Sequence, residues 1–321
     1  MEKVIGITIG DPAGIGPEIF LKGYSEIKKI KNVIPLVIGD ISVLERNLKI
    51  LGLKLKIKKI ERKQEIDKNF LNLFSPEIIK DQEYPICIDN EICGSASFNY
   101  VITGINLWKK NIIDALVTLP ISKKAWFIAG YEYSGHTELL AEKLNEKKYA
   151  MVMIANKQRV LLLTTHIPIK RVLEVLNEDL IIEKVEIGYE FLKKLKIRNP
   201  LIGVCGLNPH AGENGVIGKE EIEIIKPAVE KLKKNGISIE GPFPADTIYK
   251  KKFDLIIAIY HDQALIPLKT FYFDTLVNFT AGIKLIRTSP GHGTAFDIAY
   301  KNKGNCKSFV SAYKFAVKLI K

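Results

Sequence analysis

The sequence predicts an α/β fold, and three observations lead there. Short apolar runs that read as buried strands alternate with helical stretches along the whole chain. The runs are bounded by Gly, Pro, Asn and Asp, and the longest, such as residues 255–260, fall well short of the roughly 18 apolar residues a membrane span needs. Composition is 47% hydrophobic over 321 residues, enough for roughly two domains, each with its own core.

Taken in order, residues 4–9 form a first strand, cut off by Gly10-Asp11-Pro12, so they do not read as a signal peptide. A helix starts near Pro17, a second strand covers 33–38, and a second helix starts at Ser42. Residues 53–91 are the least legible part, and no chemistry is assigned to them. A strand follows at 115–119, and three more apolar runs, 160–163, 201–207 and 254–260, read as buried parallel strands. The last helix, 308–320, carries an apolar stripe at helical spacing and is a packing element. Neither a low-complexity linker nor a repeat interrupts the pattern, so the domains are expected to share an interleaved sheet system.

Charge discriminates poorly between functions. Forty-eight basic against 36 acidic residues give a net charge of +12. The lysines, however, lie in short separate clusters at 28–31, 54–63, 193–196 and 250–252 without aromatic interleaving, which is the pattern of solvated surface rather than of a nucleic-acid interface. Cys87, Cys93, Cys205 and Cys306 include no CxxC pair, which fits free thiols in a reducing, cytoplasmic compartment. Neither nucleic acid nor membrane is expected as a partner.

All five histidines lie in short punctuated segments: Ser134-Gly-His136-Thr137-Glu138, Thr164-Thr-His166-Ile-Pro168, Asn208-Pro-His210-Ala-Gly-Glu213, Tyr260-His261-Asp262-Gln263 and Gly291-His292-Gly293-Thr294. A single loop histidine is ordinarily a solvated or hydrogen-bonding side chain. His166, His210 and His261 differ in coming at or just after the ends of three strand-like runs, and ligands of open α/β sheets bind beyond the carboxyl ends of strands. Their separations of 44 and 51 residues have no zinc-finger character. Three neutral imidazoles on one ion leave coordination positions open, which is the arrangement of a catalytic metal that polarises a substrate oxygen.

Two further segments could hold anions. Gly10-Asp-Pro-Ala-Gly-Ile-Gly-Pro-Glu18 links the first strand to the first helix, but its spacing is not GxGxxG, and Pro12 and Pro17 remove two amide donors. Ligand contact and a purely structural turn both remain open for it. Lys269, Asn278 and Arg287 supply a cation, an amide and a guanidinium near apolar runs, a trio suited to phosphate or carboxylate.

Together, the 10–18 loop, Ser134-Gly-His-Thr-Glu138, Asn208-Pro-His-Ala-Gly-Glu213, Gly241-Pro-Phe-Pro-Ala-Asp-Thr247, Tyr260-His-Asp-Gln263 and Arg287-Thr-Ser-Pro-Gly-His-Gly-Thr-Ala295 closely resemble the 4-hydroxythreonine-4-phosphate dehydrogenase family of the pyridoxal-phosphate pathway, from residue 5 to about 300. The resemblance implies two α/β/α domains with an active-site cleft between them, like isocitrate and isopropylmalate dehydrogenases. The expected division is 1–125 plus about 280–321 on the cofactor side, and about 126–279 for the metal ligands and dimer interface. It further implies NAD- or NADP-linked oxidation of 4-phosphooxy-L-threonine at C3, then decarboxylation to 3-amino-2-oxopropyl phosphate. His166, His210 and His261 match the family's metal ligands, drawn from both subunits of a homodimer, for one divalent ion such as zinc, magnesium, cobalt or manganese. His136, Thr137, Lys269, Asn278 and Arg287 match its substrate contacts, and the loop around His292, with Gly293, Thr294 and Asp297, helps hold the nucleotide. Asp246 and Asp262 are the candidates for proton transfer or for orienting a ligand.

Two departures fall near the cofactor: Gly291 where the family often has Asp, and Tyr300 where it usually has Gly. They bear on the choice between NAD and NADP, for which the expectation is NAD. The alternative reading is a paralogue acting on another phosphorylated hydroxy acid, threonate or erythronate 4-phosphate.

Overall fold

In a computed structural model, residues 2–80 and 82–321 are described. Along the chain run β1 (Lys3–Thr8), α1 (Gly16–Ile27), β2 (Val33–Ile38), α2 (Ile41–Leu51), β3 (Ile57–Lys59), β4 (Leu71–Phe74), α3 (Glu91–Lys109), β5 (Ala115–Thr118), α4 (Lys123–Ile128) and α5 (His136–Lys143). Next come β6 (Ala150–Ala155), β7 (Gln158–Leu162), α6 (Ile169–Val175), α7 (Glu178–Lys194), β8 (Ile202–Cys205), α8 (Lys226–Lys234), β9 (Ile239–Phe243), β10 (Leu255–Ala258), α9 (His261–Tyr272) and β11 (Val277–Ala281). The chain closes with β12 (Arg287–Pro290) and α10 (Lys307–Ile320). The expected α/β class is therefore what forms, and it divides into two compact units, Met1–Asn145 with Lys284–Lys321, and Glu146–Ile283. The first unit reaches past residue 125 because α4 and α5 pack against α3.

In the first unit the strand order is β3-β4-β2-β1-β5-β12, and neighbours pair in parallel. A parallel strand covered on both faces must be apolar throughout rather than alternating, and all six residues of β2, VIPLVI, are buried. Phe20 of α1 meets Phe309 of α10 edge-on at 6.0 Å between ring centroids. The illegible 53–91 stretch contributes the short strands β3 and β4, and Asn90 then starts α3 by accepting the Cys93 amide at 2.9 Å, a cap worth about 1 kcal/mol.

In the second unit the order is β11-β6-β7-β10-β8-β9. The three runs read as parallel strands do pair in parallel, with β10 between β7 and β8. Antiparallel β6 and β11 extend this set, so the sheet is mixed. Both β8 and β10 stop short of the predicted ends at 207 and 260, because the backbone amides beyond them turn to side-chain acceptors described below.

Candidate active site

In the first unit Arg287 opens β12 and is only 2% exposed. Its Nε and Nη2 both donate to Thr118 Oγ1, at 2.9 and 2.7 Å. Burial pulls the guanidinium down to about 10, with Glu138 acting in the opposite direction, so it stays charged at neutral pH. His136 and Thr137 form the first turn of α5, where backbone amides lack helical acceptors. Burial, followed by the charges of Arg287 and Lys123, holds the His136 imidazole well below its usual range, so it is neutral at pH 7. Trp126 packs edge-on against it at 5.7 Å, while its Nε2 is buried without a hydrogen-bond partner. An orphaned ring nitrogen beside a buried guanidinium at a helix N-terminus fits an anionic, hydrogen-bonding ligand.

The 10–18 loop resolves in favour of a structural turn. Asp11 donates its amide to Pro120 O at 2.8 Å, Gly14 to Asp11 O at 3.0 Å and Ile15 to Thr294 O at 2.9 Å, while the Ala13 amide goes to Asp11 Oδ1 at 2.9 Å. Amides satisfied in this way are not free to cradle a phosphate. The turn instead supports the predicted nucleotide segment: a Cβ on Gly14 would meet the Thr294 side chain at 3.0 Å. Around that contact, His292 Nδ1 lies 3.0 Å from Gly293 O, and Gly293 and Asp297 are exposed. Tyr300, the departure from the family pattern, adopts φ +61°. Its hydroxyl donates to Pro12 O at 2.6 Å, and the Arg46 guanidinium lies 5.0 and 5.3 Å from the Tyr84 and Tyr300 ring centroids. The tyrosine thus fastens the turn from outside. Asp11 itself is fully buried, its Oδ2 has no hydrogen-bond partner, and burial raises its carboxyl to about 7.

In the second unit the strand order places His261, after β10, between the loops that follow β7 and β8. The His166 and His261 rings lie 5.7 Å apart at 44°, lining a cavity of about 180 Å³ with Thr164, Thr165, Tyr260 and Asp262. With N–metal bonds of about 2.1 Å, two imidazoles on one ion have centroids roughly 5–6 Å apart, so this pair fits a metal. His261 Nδ1 is 2.7 Å from Asp262 Oδ1 and His210 Nδ1 is 3.1 Å from Glu213 Oε2. Because a carboxylate only accepts, Nδ1 is the donor in each pair, and Nε2 is the nitrogen left to face a ligand. Among the described residues no three His, Cys, Asp or Glu groups come within reach of one ion, and His210 stands apart with its side chain 71% exposed.

The His210 loop is unusual in its backbone. Residues His210, Ala211, Gly212, Glu213 and Asn214 all have φ between 43° and 78°, and a left-handed conformation costs roughly 1–2 kcal/mol at each non-glycine position. Strain of this size persists only where the surroundings enforce it. Here Glu221, 1% exposed, accepts the Leu207 and Asn208 amides through Oε1 at 2.8 and 2.7 Å, and Asn208 Nδ2 through Oε2 at 2.9 Å. Gln263 then ties the two strand ends together, donating to Gly206 O at 2.8 Å and accepting the Ile259 amide at 2.9 Å. These side chains end β8 and β10 early.

Of the remaining predicted residues, Asn278 lies on β11 with a buried Oδ1 lacking a hydrogen-bond partner, and Lys269 is exposed in the last turn of α9. Asp262 meets His261, in keeping with an orienting role. Asp246 is exposed, and no hydrogen bond or ion pair joins it to a histidine among the described residues. Sequence reading missed Thr118, Glu221 and Gln263 as site residues, although Gln263 stands inside a motif it singled out.

Comparison with known proteins gives the family. The family model described as "Pyridoxal phosphate biosynthetic protein PdxA" matches residues 31–316. The chain is 42% identical to the 4-hydroxythreonine-4-phosphate dehydrogenase of Aquifex aeolicus, over 100% of its length and 99% of that protein's. It is 39% identical to the D-threonate 4-phosphate dehydrogenase of Pectobacterium atrosepticum, covering 99% and 100%. Among solved structures, it superposes on a 4-hydroxythreonine-4-phosphate dehydrogenase from Klebsiella pneumoniae with a TM-score of 0.86 at 34% identity, covering the whole of both chains.

Proposed function

The chain belongs to the PdxA family of pyridoxal phosphate biosynthetic proteins, and on that premise we propose that it is an NAD- or NADP-linked, divalent-metal-dependent dehydrogenase of 4-phosphooxy-L-threonine. Hydride passes from C3 to the nicotinamide and the C3 hydroxyl loses its proton. The resulting β-keto acid then releases its carboxylate as carbon dioxide, and protonation at C2 gives 3-amino-2-oxopropyl phosphate.

The observation that carries this reading is the orphaned Nε2 of neutral His136 beside the buried Arg287. Arg287 holds an anionic group of the substrate with fixed charge, the α5 amides add neutral donors, and His136 binds without competing for a proton. Lys269 and Asn278 are further proposed substrate contacts. His166, His210 and His261 would hold the divalent ion, which supplies the Lewis acidity that lowers the pKa of the C3 hydroxyl. Asp262 and Glu213 keep the His261 and His210 rings in the ligating tautomer. Residues 292–294 and Asp297, backed by the 10–18 turn, form the proposed nucleotide contact, with NAD favoured.

A homodimer with shared active sites is part of the proposal. Ile167, Ile169, Val216, Ile217, Phe271 and Phe273 are exposed apolar side chains near the His166 and His210 loops or at the end of α9, the surface expected where a second copy docks. No described helix is long and apolar enough to cross a membrane. All four cysteines are free, in keeping with the cytoplasm as the working compartment.

A second reading, oxidation of D-threonate 4-phosphate, is favoured by the 39% identity to the Pectobacterium enzyme of that name. The two substrates differ in an amino against a hydroxyl group at C2. NADH formation by the purified protein with each substrate, with and without chelator, separates them. Metal-dependent turnover of the amino acid alone is the expected result, preference for the threonate would transfer the assignment, and turnover of neither would reject both.

A further inference from the structure

We infer that Glu221 is the positioning residue for His210, preforming the left-handed turn that presents this imidazole to a divalent ion; the inference rests on the metal-site reading above. His210 is exposed, its side chain meets Glu213 three residues on, and Glu213 is itself in the left-handed region. Backbone bonds close the two ends of the turn: Ala211 donates to Asn208 O at 3.1 Å, Val216 to Glu213 O at 3.2 Å and Ile217 to Gly212 O at 3.1 Å. The stem that joins the turn to β8 is gripped by one buried carboxylate, that of Glu221.

Glu221 reaches the turn from both sides. Through Oε1 it takes the two amides that follow β8, which would otherwise be left without acceptors, and through Oε2 it takes Asn208 Nδ2, a group that Glu220 Oε2 also accepts at 2.7 Å. On the far side it packs so tightly under Gly212 that a Cβ there would stand 2.6 Å from Glu221 Oε2 and 3.0 Å from Gly218 O, at a φ of +78°. Glu221 begins a π-helical turn, Glu221–Ile225, running into α8. Such bulges recur at functional sites, because they re-aim a side chain that a regular helix would direct elsewhere. Since Gln263 clamps Gly206 to Ile259, the stem that Glu221 grips is already fixed to the strand carrying His261. The carboxylate therefore sets His210 relative to His261, not merely relative to its own loop.

The test is Mn²⁺ affinity of the full-length protein at 25 °C, read from free ion by electron paramagnetic resonance, with the unfolding midpoint in chelator measured beside it. Glu221→Gln keeps an acceptor for the two amides but turns an N–H toward Asn208, and is expected to weaken Mn²⁺ binding about 10-fold; Glu221→Ala should cost about 100-fold, the range for residues that orient metal ligands. Gly212→Ala breaks the same contact from the other side and should match or exceed Glu221→Gln, which keeps the test alive if Glu221→Ala does not fold. Saturating Mn²⁺ should restore turnover to Glu221→Gln but not to His210→Ala. Affinities of the Glu221 and Gly212 variants within twofold of wild type, with His210→Ala clearly weakened, overturn the positioning role alone. If His210→Ala also binds as wild type does, the metal-site reading fails with it.

Discussion

The two units place their polar functional groups in opposite settings. In the first, Arg287, Thr118, Thr137 and Asp11 are at most 7% exposed, and each is held by or against the core. In the second, the side chains of His210 and His261 are 71% and 39% exposed, and Asp262 beside His261 is 63% exposed. The difference follows from what each must do. In the proposed roles, a group that binds an anion by charge gains from a dry, rigid setting where its field is little screened, whereas an imidazole proposed to share an ion with a second subunit must reach outward. A buried anion-binding group is thus also a packing group, whereas an exposed imidazole is not, and substitutions of the two should tell them apart.

The largest effect is expected at Asp11. Its carboxyl titrates near 7 in the folded protein, against an ordinary value of 3.8, chiefly because it is buried. The folded state then keeps a proton that the unfolded chain has lost, so the contribution of Asp11 to stability is greatest below about pH 4, falls as pH rises, and levels off above pH 7; the loss from this group approaches about 4 kcal/mol. Asp11→Asn has no charge to bury, so its denaturant-unfolding free energy should gain on wild type by that amount between pH 4 and pH 8. Parallel profiles for the two proteins would show that Asp11 is not the buried titrating group. Next in size is Arg287→Ala, which removes a fully packed guanidinium and both bonds to Thr118. A loss of about 3 kcal/mol is expected from the cavity and the broken contacts, together with a large rise in KM. Lost activity at wild-type stability would contradict the coupling of fold and function argued for this unit.

Legibility divides along the same line. The three histidines could be read from the sequence because each follows a short apolar run closed by turn residues, a local pattern. Glu221 could not, since its partners are backbone amides 13 and 14 residues away and its importance lies in burial. Thr118 meets Arg287 across 169 residues, a separation no periodicity reveals. The sequence of residues 201–207 and 254–260 predicts strands to their last apolar residue, although β8 ends at Cys205 and β10 at Ala258. Apolar character continues there, but hydrogen bonding passes to Glu221 and Gln263, and only the folded chain brings those acceptors near. The same limit explains β6, whose antiparallel pairing with β11 joins segments more than 120 residues apart.

The smallest stability effect should come from His261→Ala, and it is the sharpest contrast with Arg287. The ring is part exposed, and its bond to Asp262 is a surface contact between adjacent residues, a kind that contributes little. His261 also opens α9, where alanine is well tolerated. The unfolding free energy in chelator should stay within about 0.5 kcal/mol of wild type, while the stabilisation that added Mn²⁺ gives the wild-type protein should disappear, since an ion raises stability only through its affinity for the folded state. A variant that unfolds several degrees lower without metal would mean that this imidazole, like Arg287, is structural. If the variant is still stabilised by Mn²⁺ as much as wild type, His261 is no ligand.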